Sequence, residues 1–449
     1  MPRSRHTDCG GSAAVFLFFL LVFVGPGRAW GWESEDFTLD NGLRVILVRE
    51  SKAPVVATQV WYRVGALDEV AGKTGLAHML EHMMFQGTKA VPGGEYSRII
   101  ARHGGEENAA TAWDHTQYWS RLASSQLELA LKLEADRMEN LVFHPGRFGS
   151  ENHVVREERR TRTDSNPQGR YFEKFRRFFF QDHPYGRPII GWMKDIEGYT
   201  LADVAGWYRR HYSPDNAILV IVGDIEFISA RDRVRHWFGG IAPSGRKERS
   251  ALPDLPEGSG FRRLVHRDPQ VMAPFMQISW SVPSLAYGAT GDAYALDLLA
   301  AVLGGGGSSR LYRRLVVQEQ KAVAVQTQYA GSSLGVETFD IYADPRDGVP
   351  VDDLERALFA EMETFLANPV SEAQLQRAKN GLLAERIYSR DAVQHLATMI
   401  GRLSIVGVDW KREIEDGPRM IQEVTAERLQ EVAARYLTRD RAVVGVLTP

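Results

Sequence analysis

The amino-acid sequence predicts an α+β fold built twice: two homologous α/β-sandwich domains, each an antiparallel-rich sheet packed with helices, joined by a linker. Three observations predict it. Runs of β-branched residues with two-residue alternation exchange with runs of helical periodicity along the whole 449-residue chain. A helix, a tyrosine and an apolar strand at 200–212 and 217–222 recur at 425–436 and 442–447, a weak internal repeat of about 200 residues. Between the copies, residues 243–260 are rich in Pro, Gly, Ser and charge, the composition of an interdomain linker.

Taken in order, residues 37–48 read as a hairpin turning at Asn41-Gly42, since Asn-Gly tolerates the positive φ of a tight turn. Residues 55–64 form a β-branched strand. A helix opens near Thr74-Gly75, and a second, 96–103, is closed by Gly104-Gly105. Residues 108–122 alternate as a strand, and 126–140, 149–163 and 201–212 have helical periodicity. The continuous apolar run 217–223 is the pattern of a strand buried on both faces. In the second copy, 276–282 is a strand and 291–304 a helix. Basic clusters at Arg156, Arg159, Arg160 and Arg162, and at Arg176 and Arg177, are interleaved with acids and read as solvated helix faces.

Composition bounds the function. The 44% hydrophobic and 25% charged fractions suit a globular chain of about two to four domains with ample core. A net charge of −3 makes no electrostatic case for nucleic acid. The amino terminus differs in kind: Arg3, Arg5 and His6 precede an apolar run at 13–24 and then Gly25-Pro-Gly-Arg-Ala29. That is a secretory signal peptide, residues 1–29, with a cleavage site after Ala29. The run is shorter than the roughly 20 apolar residues that span a bilayer; an uncleaved signal anchor is the alternative, and no later segment spans. The single cysteine, Cys9, precedes the run, so the mature chain has no disulfide and no thiolate, and metal ligands are restricted to His and carboxylates. Export without disulfides fits a bacterial periplasm.

The chemistry lies in His78-Met-Leu-Glu81-His82. On a helix, His78 and His82 stand one turn apart on the same face, with Glu81 close beside them. Two imidazoles at that spacing can hold one Zn²⁺, and the carboxylate can accept a proton from water. A catalytic zinc takes a third protein ligand, which must come from another rigid element. The helix-forming segment Glu151-Asn-His-Val-Val-Arg-Glu-Glu-Arg159 offers it. Glu151 and Glu158 lie two turns apart on one face, whereas Glu157 points about 100° away. One of the facing pair would bind metal and the other steady a histidine; the competing reading is an exposed charged helix.

Taken together, H-x-x-E-H and E-x-x-V-V-x-E-E resemble the pitrilysin (inverzincin) family of zinc metallopeptidases, in particular its mitochondrial processing peptidase beta-like branch. Asn41-Gly-Leu-Arg-Val45, His183-Pro-Tyr-Gly186 and Gly304-Gly-Gly-Gly-Ser-Ser-Arg-Leu311 fit the same family, and Glu158 follows His82 by 76 residues, its spacing for the third ligand. The resemblance implies that His78, His82 and Glu158 hold one Zn²⁺ per chain, that Glu81 is the general base, and that Glu151 orients a ligand. It implies a metallopeptidase domain at 33–242 and a homologous domain without the metal motif at 261–449, together half of a clam-shell chamber that admits peptides or unfolded segments. Residues 108–118 look like the family's edge strand, where Asn108 and Ala109 would bind an extended peptide by strand addition.

One departure matters. Many members carry an Arg and a Tyr seven residues apart in the second domain, and the positions aligned with them here are Val317 and Ala324, which have no side-chain donor. The expectation is a homologous partner chain that supplies the pair, giving a heterodimer, with a homodimer as the alternative. A catalytically silent scaffold or peptide-binding subunit is the rival reading, and it predicts a degraded metal motif. The glycine run 304–307 lacks a P-loop lysine and reads as a flexible turn lining the chamber.

Overall fold

The computed structural model describes residues 32–245, 249, 252, 253, 255 and 260–449. The expected signal segment, its cleavage point, Cys9 and much of the expected linker lie outside the described residues. The first half runs β1 (Ser34–Thr38), β2 (Arg44–Arg49), β3 (Val55–Tyr62), α1 (Leu76–Met83), α2 (Glu95–Arg102), β4 (Glu106–Thr111), β5 (Thr116–Ala123), α3 (Leu127–Glu139), α4 (Pro145–Arg159), α5 (Pro167–Phe180), α6 (Met193–Gly198), α7 (Leu201–His211), β6 (Ala217–Gly223) and α8 (Phe227–Phe238). The second half runs β7 (Arg262–Arg267), β8 (Phe275–Val282), α9 (Ala293–Gly304), β9 (Ala322–Tyr329), β10 (Glu337–Pro345), α10 (Val351–Ala367), α11 (Glu372–Tyr388), α12 (Val393–Ile405), α13 (Trp410–Glu423), α14 (Ala426–Tyr436) and β11 (Val443–Thr448).

Among the described residues the strands form two sheets, ordered β1-β2-β6-β3-β5-β4 and β7-β11-β8-β10-β9. The second order repeats the first from β2 onward. In each, one parallel pair (β2–β6, β7–β11) is followed by antiparallel neighbours. The repeat read from the helix, tyrosine and strand near each half's end is thus a repeat of topology. The turn at Asn41-Gly42 forms as expected: Gly42 has φ +89°, and the Asn41 amide donates to Phe238 O at 2.7 Å and Ile241 O at 3.0 Å.

Three local expectations need correction. Residues 108–122 are not one strand but the facing arms of a hairpin, β4 and β5, with Ala112 N–H donating to His115 O across the turn. Period-two alternation continues through a tight turn, which hides the break. The helix expected over 149–163 begins at Pro145, a residue suited to a helix's first position, and its last turn loosens into a π-helical turn at Arg160–Asp164. The basic clusters are not wholly solvated. Arg159 is buried, donating to Glu173 at 2.7 Å and to Gly191 O at 2.8 Å, and Arg176 is half-buried with its guanidinium 3.3 Å from the centre of the Trp113 ring. Spacing along one helix cannot reveal a carboxylate or an aromatic ring brought in by another element.

Each half has its own core, packed between one face of its sheet and its helices. The opposite face of each sheet is covered by a helix from the other half. Strand β6 shows why one is needed: Ala217, Leu219 and Ile221 face the first core, while Ile218, Val220 and Val222 face Leu396, Ala397, Ile400 and Leu403 of α12. Reciprocally, Tyr171, Phe175 and Phe179 of α5 pack with Val443 and Leu447 of β11, and Tyr171 meets Phe275 edge-on at 5.6 Å. At the first crossing α12 comes so close that a Cβ on Gly401 would lie 2.1 Å from the Trp61 Nε1. Trp61 is fully buried and donates to Gln59, whose amide donates to Thr398 on α12 at 2.9 Å. Gly401→Val is therefore expected to destabilise the fold by about 1–3 kcal/mol through overpacking, measured by denaturant unfolding.

Beside the apolar contact with Val443 and Leu447, the face of the second sheet under α5 also carries polar residues. Asp340 accepts from Ser279, Thr338 and Gln277, and Glu337 lies alongside with Arg176 facing both. Burial lifts Glu337 from its ordinary 4.5 to about 7, Asp340 adding to the rise and Arg176 opposing it. The folded state therefore holds this proton more tightly than the unfolded chain. Its stabilising contribution is complete below pH 4.5 and is lost as pH rises through about 7. Glu337→Gln should flatten that decline, so that its Tm relative to the unchanged protein rises between pH 5 and 8; parallel Tm profiles would contradict it.

Candidate metal centre

Helix α1 is short and two-faced. Leu76, Ala77, Met79, Leu80 and Met83 enter the first core, leaving His78, Glu81 and His82 on the side turned to α4. Helix α4 is fixed by Val155, which is buried in the same core, and this turns Glu151 and Glu158 toward the imidazoles. His78 Nε2 and His82 Nε2 stand 3.7 and 3.3 Å from Glu158 Oε2, and all three atoms lie within 4.8 Å of one another. Tetrahedral ligands about 2.1 Å from a zinc ion stand about 3.4 Å apart, so this donor set fits such an ion. His82 Nδ1 meets Glu151 at 3.2 Å, and Glu151 also accepts from Gln86 at 2.7 Å. Glu81 accepts from the Thr111 hydroxyl at 2.5 Å. The arrangement thus brings all five of His78, Glu81, His82, Glu151 and Glu158 together, and Glu157 turns away to pair with Arg160.

The electrostatics are those of a polar site cut into an apolar body. Burial pulls His78 down to about 4, helped by the neighbouring His82. Burial also acts to lower His82, but its hydrogen bonds to the Glu151 and Glu158 carboxylates carry it up to about 9. Burial raises Glu81 above the ordinary carboxylate range, against the Thr111 hydrogen bond. Burial acts to raise Glu158 as well, yet His82, His78 and Arg162 hold it below that range. Among the described residues, His78 Nδ1 is buried without a hydrogen-bond partner.

Several contacts escaped the sequence reading although each carried a spacing signal. Gln86 is four residues after His82, and Arg162, at 2.8 Å from Glu158, is four residues after it. Thr111 is two residues from Ala109 on the same face of β4. Glu69 carried no signal. It is buried, with carboxyl oxygens 2.8 Å from Gly75 N and 2.9 Å from Ala77 N, and burial lifts it to about 8 against the pull of those two N–H donors.

Asn108 and Ala109 lie on β4, the outermost strand of its sheet, with β5 on one side and no strand on the other among the described residues. The Asn108 side chain accepts from Ala109 N–H at 2.9 Å. In the second half, Val317 is exposed in the π-helical turn Tyr312–Gln318, and Ala324 lies on β9, again an outermost strand. The glycine run has a packing role at its start: a Cβ on Gly304 would fall 2.6 Å from Thr327 N, so only glycine lets α9 end against β9.

Comparison with known proteins gives the family and the fold. Residues 44–192 match the model of insulinase (peptidase family M16), and residues 198–382 match the peptidase M16 inactive domain. Zinc protease PqqE of Helicobacter pylori is 30% identical over 96% of this chain and 97% of its own. The probable mitochondrial-processing peptidase subunit beta of Arabidopsis thaliana is 26% identical over 93% of this chain and 78% of its own. The crystal structure of a protease from H. pylori superposes with TM-score 0.85 at 29% identity, covering 93% of this chain and 100% of that one. The periplasmic protease PqqL from Escherichia coli superposes with TM-score 0.79 at 20% identity, covering 94% of this chain and 48% of that one, so this chain has the fold of half that molecule. With both family models matched in sequence order and a relative aligned from end to end, the chain belongs to peptidase family M16, the pitrilysin-type zinc proteases.

Proposed function

We propose that the chain is a zinc-dependent endopeptidase that hydrolyses peptides or unfolded polypeptide segments, working with a homologous partner chain. The observation that carries this reading is the convergence of His78, His82 and Glu158 within 4.8 Å, with Glu81 on the same helix face. Zinc, when bound by those three side chains, supplies the Lewis acidity that makes water nucleophilic near neutral pH and stabilises the oxyanion. The rest is done by the chain's own groups. Glu81, lifted by burial and steadied by Thr111, takes the proton of the attacking water and passes it to the leaving amine. Glu151 takes the Nδ1 proton of His82 in a hydrogen bond and thereby presents Nε2 to the metal. The open edge of β4 receives the substrate as an added strand at Asn108 and Ala109, two residues from the Thr111 contact to Glu81. An extended segment can satisfy the unpaired backbone groups of that edge.

Glu81→Gln should retain about one zinc per chain while cleavage of an unfolded peptide falls by about 10²–10⁴-fold. Wild-type cleavage by the zinc-loaded variant would remove Glu81 from the mechanism. A zinc-loaded wild-type chain that cleaves nothing, with or without a chelator and with or without a partner, would instead support the silent peptide-binding subunit.

The partner is argued from the second half. The stretch 315–325 contains neither Arg nor Tyr in any register, and Val317 is exposed where a donor is expected. We therefore expect the purified chain to cleave poorly alone and to gain about tenfold or more with a homologous chain carrying Arg and Tyr in the corresponding strand. Full activity from a monomer or homodimer would overturn the heterodimer. The apolar segment 13–24 supports export to a periplasm, the compartment in the name of the E. coli structural relative. Among the described residues no helix is long and apolar enough to cross a membrane.

A further inference from the structure

Helix α1 has an unusual start. Helices leave their first N–H groups without intrahelical partners, and the residue at the N-cap normally satisfies one with its side chain. Here the N-cap is Gly75, in the left-handed region at φ +89°. A Cβ at that position would lie 2.4 Å from Ile190 O, so no capping side chain can be accommodated there. Two of these donors are met from elsewhere. One carboxyl oxygen of Glu69 accepts from Gly75 N and the other from Ala77 N. Glu69 is 2% exposed, and its own carbonyl accepts from Arg187, while the adjacent Asp68 pairs with Arg249 at 2.6 Å. Glu69 is therefore anchored at its backbone and through its neighbour, and its carboxyl is shielded from solvent.

We propose that Glu69 is a positioning residue for the metal helix, a remote N-cap that holds the first turn of α1 so that His78, Glu81 and His82 meet Glu158 in register. The proposal rests on the reading of those four residues given above. Two features make the first turn matter. Helix α1 has only eight residues, so His78 lies within its first turn and His82 in its last. Glu158 is held independently: its neighbour Arg159 donates to Gly191 O, in the same segment as Ile190 that crowds Gly75. The segment 190–191 thus sets the distance between the two helices, and Glu69 fixes where α1 begins relative to it. Fraying of the first turn would move His78 while leaving α4 in place.

The test is amide hydrogen exchange on the metal-free chain, with zinc affinity measured by competition on the same samples. In Glu69→Ala, amides in α1 should exchange at least about tenfold faster, while those of strand β6 in the same core keep their wild-type rates. Zinc affinity should fall by about 10-fold or more, the size of effect that loss of a ligand's supporting contact produces. Glu69→Gln keeps the size and one carbonyl acceptor, and should restore part of both; it carries the test if the alanine variant fails to fold. Unchanged α1 exchange, or loss of protection spread equally over α1 and β6, would overturn the proposal. If the wild-type chain binds no zinc, the metal reading fails, and the exchange measurement still decides whether Glu69 holds the helix.

Discussion

The exchange of helices between the halves is the constraint on which the remaining structure depends. Strand β6 is apolar at every position, so its sheet has two faces to hide, and the first half has helices for only one of them in its own core. Helix α12 of the second half covers the other, and α5 of the first half lies on the second sheet in return. Burying a Leu or Ile side chain is worth about 1.5–3 kcal/mol, so the apolar residues at the α12 crossing outweigh any polar contact between the halves. The cost is that neither half is complete alone. The polar residues under α5, with Glu337 and Asp340 drawn out of their ordinary range, are the less favourable side of the exchange.

The exchange also explains where the site lies. With α12 on one face of the first sheet, α1 and α4 share the opposite side, and the side of α1 away from the core faces α4. Apolar residues at Leu76, Met79, Leu80 and Met83 orient α1, and polar residues carry the chemistry. Alignment of the two helices then comes from close backbone approaches. Gly191 is another position where a side chain is excluded, since its Cβ would fall 2.3 Å from Thr74 O. Asp195 accepts from the Thr74 hydroxyl at 2.6 Å, on the other side of the same junction. Short contacts of this kind convert a loosely specified helix pair into one with ligand atoms at metal-binding separations.

Much of this was legible along the chain because it follows from periodicity. His78, Glu81 and His82 share a face by helical geometry, as do Glu151 and Glu158, and the facing of the two sets follows once each helix buries its apolar side. Strand β6, the Asn41-Gly42 turn and the repeat of helix and strand near each half's end were equally readable. What failed did so for a reason. The β4–β5 turn was hidden because alternation persists through it, and Arg159 and Arg176 looked solvated because their partners, Glu173 and Trp113, belong to other elements.

The sequence by itself determined which residues occupy one face of which helix, that the 217–223 strand must be buried on both faces, and the restriction of metal ligands to imidazole and carboxylate. Those properties are local, set by the 3.6- and 2-residue periods and by the chemistry of each side chain. Only the tertiary structure decided which helix covers which sheet, that Thr111 reaches Glu81, and that Glu69 closes the start of α1. These depend on backbone segments distant in sequence approaching to within a van der Waals contact, and no pattern along a single chain encodes that distance.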